Sequence, residues 1–166
     1  MRLARALRHA ISPHWRTRLL FTRRTLDAIT AAIDAAESSH AGQIRFAVEN
    51  ALGPLHLWRD ASARARAIEL FGALRVWDTE RNNGVLIYVL LADRAVEIIA
   101  DRGLRERVRT AEWEAICRLM QDHFRAGRYR DGSVAGVEAV GALLSRHFPG
   151  GGLDRPNELP DRPTLL

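Results

Sequence analysis

The sequence predicts an α/β fold, a three-layer α/β/α sandwich with a small mixed sheet. Residues 85–91 form an unbroken apolar run of strand length, which is typical of a strand covered on both faces. A short turn at residues 92–94 joins it to a second apolar run, residues 95–100, and this spacing predicts an antiparallel pair. An alternating strand at residues 43–49 is followed by a helical segment, so the first two strands should run parallel.

Helices are predicted before, between and after these strands, so that both faces of the sheet are covered. Thr22 is a candidate N-cap for the first of them, and Asp60 is a candidate N-cap for the second. In the first strand Ile44, Phe46 and Val48 alternate with polar residues, which predicts a half-buried strand. The predicted helices cover residues 22–39, 60–75, 110–127 and 131–148.

Residues 1–21 are predicted to be a basic arm that begins as an amphipathic helix and is interrupted at Pro13. Residues 1–24 hold seven arginines and no acid, whereas the rest of the chain holds 18 arginines against 20 acids. The net charge of +5 therefore belongs to the arm. A basic helix suits the domain surface, an anionic membrane or nucleic acid, but the interleaved aromatic residues and base-reading motifs that favour nucleic acid are absent.

The 166 residues are enough for one domain with a hydrophobic core, expected at residues 22–148. Residues 149–166, rich in Pro and Gly, are expected to be a flexible tail. No apolar run is long enough for a signal-peptide core or a transmembrane helix, so we expect a cytoplasmic protein, at most peripheral to the inner membrane. Cys117 is the single cysteine and lies on an apolar helix face, which indicates a buried, unreactive thiol.

Four segments resemble the TPM domain family: GQIRFAV at residues 42–48, NGVLIYV at 83–89, Gly103-Leu104, and FRAGRYRDG at 124–132. The resemblance covers residues 22–148 and implies a mixed sheet between helices. The family includes a thylakoid-lumen protein described as an acid phosphatase, a photosystem II repair factor, an auxiliary protein of acetylcholine receptors, and bacterial envelope proteins. The resemblance therefore implies either phosphatase-like chemistry or protein interaction.

The chain departs from the family at three acidic positions. Many members read Asp-Asn-Gly-Val where this chain has Asn82 as the first residue. They read Gly-Leu-Glu and then an Asp, where this chain has Arg105 and Thr110. Hard cations prefer several carboxylates among about six or more oxygen ligands, and a guanidinium repels them. These departures predict that any metal-dependent activity of the family is weakened or lost here.

The antiparallel pair brings the start of one strand next to the end of the other. This juxtaposition makes Asp78, Glu80, Asn82 and Asp101 the candidate site for a divalent cation, Ca²⁺ or Mg²⁺, with ordinary turn chemistry as the alternative. The opposite rim is where parallel strands end, the usual ligand edge of an open α/β sheet. Asp93 and Glu49 belong to that rim, although a hairpin aspartate is commonly structural.

We interpret the chain as a non-catalytic interaction module of a bacterial cell, with an unidentified protein partner and no certain cofactor. Residues 1–21 are the candidate contact with an anionic membrane surface. One alternative is a divalent-cation-dependent, phosphatase-like enzyme that uses Asp78, Glu80 and Asp101. The other is nucleic-acid binding through the arginine-rich arm, which would weaken steeply with salt.

Overall fold

The computed structural model describes residues 2–150 and 157–166. Within them a mixed sheet lies between two layers of helices, which confirms the predicted three-layer sandwich. The strands are β1 (Gln43–Glu49), β2 (Gly84–Leu90), β3 (Ala95–Ala100) and β4 (Thr164–Leu165). Their order across the sheet is β3-β2-β1-β4.

Pairing among the first three strands follows the prediction. β1 and β2 run parallel, with Gln43 opposite Gly84. β2 and β3 run antiparallel, with Leu90 opposite Ala95 across a short turn. β4, which the sequence analysis does not predict, runs parallel to β1 on its other side.

Helices precede, connect and follow the strands. They are α1 (Arg2–Ala10), α2 (Trp15–Leu20), α3 (Arg23–Glu37), α4 (Pro54–Trp58), α5 (Ala63–Ala73), α6 (Arg102–Arg105), α7 (Thr110–Arg125) and α8 (Tyr129–His147). The predictions of α1, α3, α5, α7 and α8 are confirmed. The short helices α2, α4 and α6 contain too few residues to show a hydrophobic period.

Side-chain caps define the starts of two predicted helices. Thr22 caps α3 as predicted, because its Oγ1 accepts a hydrogen bond from the backbone N–H of Thr25. The N-cap prediction for α5 is wrong. Ser62 caps that helix by accepting from the N–H of Ala65 at 3.0 Å, whereas Asp60 lies in the preceding turn with φ of 55°.

Each face of the sheet has its own apolar core. α3, α7 and α8 cover the face that carries Ile44, Phe46 and Ile87. α5 and Leu159 cover the other face, which carries Tyr88. Burial on both sides explains the apolar sequence of β2, whose seven residues are all buried.

The predicted half-buried character of β1 is wrong, because the polar side of this strand is also covered. Gln43 is buried, and its Oε1 accepts hydrogen bonds from the backbone N–H groups of Glu158 and Leu159 at 2.9 and 3.0 Å. Arg45 donates to the carbonyl of Arg162 and to Thr164 Oγ1. The side chains of Gln43 and Arg45 thus bind the C-terminal segment.

The same contacts correct the expectation of a flexible tail. Residues 151–156 lie outside the described residues. Residues 157–166 pack on the domain: Leu159 is buried, and β4 extends the sheet. This segment is held mainly by hydrogen bonds to β1, which its low apolar content does not reveal.

Burial of Glu37 at the end of α3 predicts a pH dependence of stability. Glu37 Oε1 accepts a hydrogen bond from the N–H of Ile44 at 2.8 Å, and burial raises the pKa of this carboxyl from 4.5 to about 8. Since the folded state favours the protonated acid, its contribution to stability is complete below pH 4.5 and is lost as the pH rises through about 8.

We therefore expect Glu37→Gln, which keeps an acceptor for Ile44, to raise Tm above wild type by about 2–4 °C at pH 9. The two proteins should converge near pH 4.5. Thermal melts by circular dichroism between pH 4.5 and 9 measure the difference. Asp27→Asn, an exposed acid on the same helix, is the control. Equal pH slopes for wild type and Glu37→Gln would contradict the assignment.

Candidate functional site

Two rims of the sheet carry polar clusters. The turn rim comprises residues 78–84 and 101–105, where β2 begins and β3 ends. The arm rim comprises residues 49–52 and 89–95, where β1 and β2 end. The predicted cation site lies on the turn rim, and Glu49 and Asp93 lie on the arm rim.

The turn rim brings Asn82 and Asp101 together as predicted. The N–H of Asp101 donates to the carbonyl of Gly84, and the N–H of Gly103 donates to the carbonyl of Asn82, both at 2.9 Å. Asp101 caps α6 because its Oδ1 accepts from the N–H of Arg102 at 2.7 Å. Part of the predicted site is therefore ordinary helix-capping chemistry.

The two other predicted ligands are less closely integrated. The side chains of Asp78 and Glu80 are exposed, and Glu80 enters the hydrogen-bond network through its backbone N–H, which donates to Glu158 Oε2 at 2.8 Å. No group of three or more His, Cys, Asp or Glu side chains that could hold a metal occurs in the described part of the chain. The structure thus does not gather the predicted carboxylates around one point.

Two oxygen atoms of the turn rim do lack hydrogen-bond partners in the protein. Asp101 Oδ2 and Asn83 Oδ1 are both buried without a partner. Arg102 disfavours a cation at these oxygen atoms. Its Nε donates to Asn82 Oδ1 at 2.9 Å, which places a guanidinium beside the same rim. One carboxylate and one amide next to a positive charge fall short of the oxygen-rich set that Ca²⁺ or Mg²⁺ prefers.

Asn83 follows Asn82 on this rim, and only the folded structure shows that it is buried. Its Nδ2 donates to the carbonyl of Ala41 at 2.8 Å, and its N–H donates to Thr79 Oγ1 at 3.1 Å. The turn-forming residue pair was visible in the sequence, but the long-range bond to Ala41 requires the folded chain.

Glu49 anchors a buried ionic cluster on the arm rim. Tyr88 donates its hydroxyl to Glu49 Oε2 at 2.7 Å. Arg66 donates to both carboxylate oxygens of Glu49, from Nε at 3.0 Å and from Nη2 at 3.2 Å. Burial, together with this carboxylate, raises the pKa of Tyr88 far above its ordinary value. The cluster is fully paired, so it serves structure rather than ligand binding.

Asp93 attaches α1 to the arm rim. Its carboxylate accepts from Arg5 Nη2 and from Arg8 Nη2, each at 2.7 Å, and contacts His9 Nε2 at 2.9 Å. His9 Nδ1 accepts from the N–H of Leu52 at 2.9 Å, so the ring proton lies on Nε2 and is donated to Asp93. Burial would raise the pKa of Asp93, but these hydrogen bonds outweigh it and hold the pKa well below its ordinary value.

The opposite side of the N-terminal helices is apolar and uncovered. Ser12 and Asn50 add two hydrogen bonds between the segment and the domain, at 2.9 and 3.1 Å. Five large side chains spaced four residues apart remain between 60% and 84% exposed. We call them the apolar stripe: Leu3, Leu7, Ile11, Trp15 and Leu19. The arm therefore lies on the domain through the polar side of α1 and through Leu20 and Phe21, and it leaves the apolar stripe exposed.

The family of the chain follows from a match between its sequence and the TPM domain model, which covers residues 17–143. The chain belongs to the TPM domain family. This confirms the resemblance that the sequence motifs indicate. The chain matches no curated protein.

Solved structures of similar proteins agree with the TPM assignment. The BA42 protein from the psychrophilic bacterium Bizionia argentinensis is 30% identical, with a TM-score of 0.76 over 87% of this chain and 94% of that chain. An N-terminal domain from P. gingivalis is 24% identical, with a TM-score of 0.61 over 84% and 94%. The N-terminal domain of the cg2496 protein from Corynebacterium glutamicum is 15% identical, with a TM-score of 0.56 over 81% and 80%. The last two comparisons support the fold alone.

Across residues 2–150 and 157–166, no helix combines the length and the apolar character that a membrane span requires. In the apolar stripe, Leu3 and Leu7 lie in a helix of nine residues and Trp15 and Leu19 in a helix of six, with Ile11 between the two helices.

Proposed function

We propose that this TPM domain is a non-catalytic interaction module that docks on an anionic membrane surface through α1 and α2. The observation that supports it is the apolar stripe, which is exposed while the other side of the same segment is bonded to the domain. An amphipathic helix in this state can place its apolar face at the lipid boundary without unfolding any part of the core.

The charge beside the stripe supports an anionic lipid surface as the occupant. Residues 1–24 contain no acid. Arg18 and Arg24 are exposed, and neither forms an ion pair with another described residue. Each such arginine near an anionic membrane contributes about 1 kcal/mol of attraction. Because Arg18 is next to Leu19 in α2, apolar insertion and charge attraction would act together at this helix.

Nucleic acid suits this segment less well than a membrane. Arg5 and Arg8 are already paired with Asp93, so two of the arm's cations are not free to contact phosphate groups. Exposed leucines also add nothing to phosphate contacts, whereas they favour lipid. A second copy of the chain, the other candidate for covering the stripe, is distinguished by the experiment below.

Vesicle co-sedimentation tests the proposal. The probes are vesicles of phosphatidylcholine alone and of phosphatidylcholine with one-fifth phosphatidylglycerol. We expect binding to the anionic vesicles and at least a tenfold loss in a variant of the stripe, because each inserted large side chain contributes about 1.5–3 kcal/mol. In a control variant, Gln replaces three exposed apolar residues elsewhere on the domain. The stripe variant is L7Q/W15Q/L19Q, and the control is L55Q/W58Q/I68Q.

The outcomes separate the candidates. Equal vesicle binding by both variants, or no binding by wild type, would overturn the membrane proposal. A wild-type dimer that the stripe variant converts to monomer, measured by analytical ultracentrifugation, would assign the stripe to a second copy instead. Retention by a DNA duplex with a steep salt dependence would favour nucleic acid.

A second candidate is a divalent-cation-dependent, phosphatase-like enzyme that uses the turn rim. The unpartnered oxygen atoms of Asp101 and Asn83 favour it, whereas the guanidinium of Arg102 opposes it. Its ligand set remains the predicted one: Asp78, Glu80, Asn82 and Asp101. Because only one carboxylate is buried there, we expect no saturable rise of Tm with Ca²⁺, Mg²⁺ or Mn²⁺ at millimolar concentration.

Thermal-shift titrations of wild type and Asp101→Asn, each with a chelator control, measure this expectation. A saturable rise in wild type that Asp101→Asn abolishes would contradict it. Assays of phosphate-ester hydrolysis would then be justified, with the same substitution as the control.

A further inference from the structure

A cavity of about 590 Å³ opens at the arm rim, bounded by α2, the turn after β2, and the connection between α7 and α8. We infer that this cavity binds a small molecule that carries a phosphate group on an apolar body. Its size lies within the roughly 300–1,000 Å³ of ordinary small-molecule sites. It also lies at the carboxyl ends of the parallel strands, where open α/β sheets bind ligands.

Three arginines from three different elements line the cavity: Arg16, Arg94 and Arg125. The side chains of Arg16 and Arg94 have no hydrogen bond or ion pair with any other described residue. Arg125 pairs with Asp122 of its own helix, where both side chains are largely exposed and the attraction is screened. The guanidinium group is the side chain best suited to bidentate recognition of phosphate.

The acid on the cavity wall does not cancel this charge. Asp93 lines the cavity, but Arg5 and Arg8 of α1 already neutralise it. The helix dipoles also offset each other, because α7 ends and α8 begins at the cavity, at Arg125 and Tyr129. The cavity therefore retains a net positive charge from its arginines.

Apart from Gln121, the rest of the wall is apolar. Val89 and Leu91 come from the end of β2, and Phe124 and Tyr129 come from the α7–α8 connection. The rings of Phe124 and Tyr129 stack with centroids 5.0 Å apart at 16°. Phe21 packs edge-on against both, at 6.3 and 5.8 Å. Such a wall favours an apolar body on the ligand over a free inorganic anion.

The ligand could be a soluble organic phosphate or the headgroup of an anionic lipid, since both present the same chemistry. Two probes distinguish them: 1-naphthylmethylphosphonate, which cannot be hydrolysed at a P–O ester, and monomeric dihexanoyl phosphatidic acid. The inference does not depend on membrane docking, because no side chain of the apolar stripe lines the cavity. The variant L7Q/W15Q/L19Q should bind both probes like wild type.

Titration of the isotope-labelled protein, followed by amide NMR shifts, locates and measures the binding. We expect saturable shifts in residues 89–95 and 121–129 with at least one probe. Substitution R16Q/R94N should weaken the affinity about tenfold or more, since it removes two charge-assisted contacts. Asn at position 94 suits the left-handed backbone there, where φ is 53°. The control is R105Q/R118Q, which removes two exposed arginines that do not line the cavity.

Binding of both probes, or of one alone, supports the site and identifies the kind of ligand. Four results would overturn it: no saturable shift at millimolar probe, shifts confined to residues 78–84, unchanged affinity in R16Q/R94N, or equal binding of uncharged 1-naphthalenemethanol. Loss of vesicle binding by the stripe variant with normal probe binding would leave both proposals standing. Loss of probe binding in R16Q/R94N with normal vesicle binding would separate the two sites.

Discussion

Glu49→Ala is expected to lower the free energy of unfolding by about 3–5 kcal/mol. Glu49 is buried at the end of β1, and its carboxylate is the partner of both Arg66 and the Tyr88 hydroxyl. Removing the carboxylate leaves the fully buried Tyr88 hydroxyl without a partner, and it leaves the largely buried Arg66 guanidinium with only the half-exposed Glu69 as a carboxylate partner. The cost of an uncompensated buried charge exceeds that of any single hydrogen bond.

Urea denaturation monitored by circular dichroism measures this loss. Glu69→Ala is a matched control, because Glu69 also contacts Arg66 but is half exposed, and we expect it to stay within about 1 kcal/mol of wild type. The double variant E49L/R66M removes both charges and should recover much of the loss, since apolar replacement of a buried ion pair is often close to neutral. A loss of stability in Glu49→Ala no larger than that in Glu69→Ala would contradict the cost assigned to breaking the buried ion pair.

Gly84→Ala is expected to lower the free energy of unfolding by about 3 kcal/mol or more. A Cβ at this position would lie 2.0 Å from the carbonyl oxygen of Val76. That oxygen belongs to the backbone, so no side-chain rotation relieves the overlap. Relief requires β2 to move, although β2 is paired with β1 on one side and with β3 on the other.

Gly72→Ala is the control for this substitution. A Cβ added at position 72 would meet no atom within 4 Å beyond its own turn of helix. Because the residue lies in α5, alanine should stabilise the protein by about 0.5–1 kcal/mol. The same urea experiments report both values. A Gly84→Ala variant as stable as wild type would mean that the start of β2 yields more easily than its two-sided pairing implies.

These effects bear on function because both rims depend on the same strands. Gly84 belongs to the turn rim, and Glu49 and Asp93 belong to the arm rim. Two of the three departures from the family's acidic pattern, at Asn82 and Arg105, lie on the turn rim, whereas the arm and the arginine-lined cavity lie at the arm rim. Both proposed binding functions therefore lie at the arm rim, where Glu49 and Asp93 form ion pairs.

The sequence by itself determined the sheet's first three strands and the long helices. The apolar run of β2 and its turn to β3 identify an antiparallel pair, and the pairing of Val85 with Ala100 follows from that turn. The same logic correctly places Asn82 beside Asp101. The cap at Thr22 is likewise readable, since capping depends on residues only three apart.

Only the tertiary structure decided the contacts between distant segments. β4 and the packing of residues 157–166 depend on Gln43 and Arg45, more than a hundred residues earlier. The binding of α1 to the domain depends on Asp93 meeting Arg5 and Arg8. Hydrophobic period and capping record local conformation, whereas a hydrogen bond or ion pair between remote polar residues leaves no periodic trace. For this reason the attachment of the basic arm to Asp93, the C-terminal strand and the cavity between helices are seen only in the folded chain.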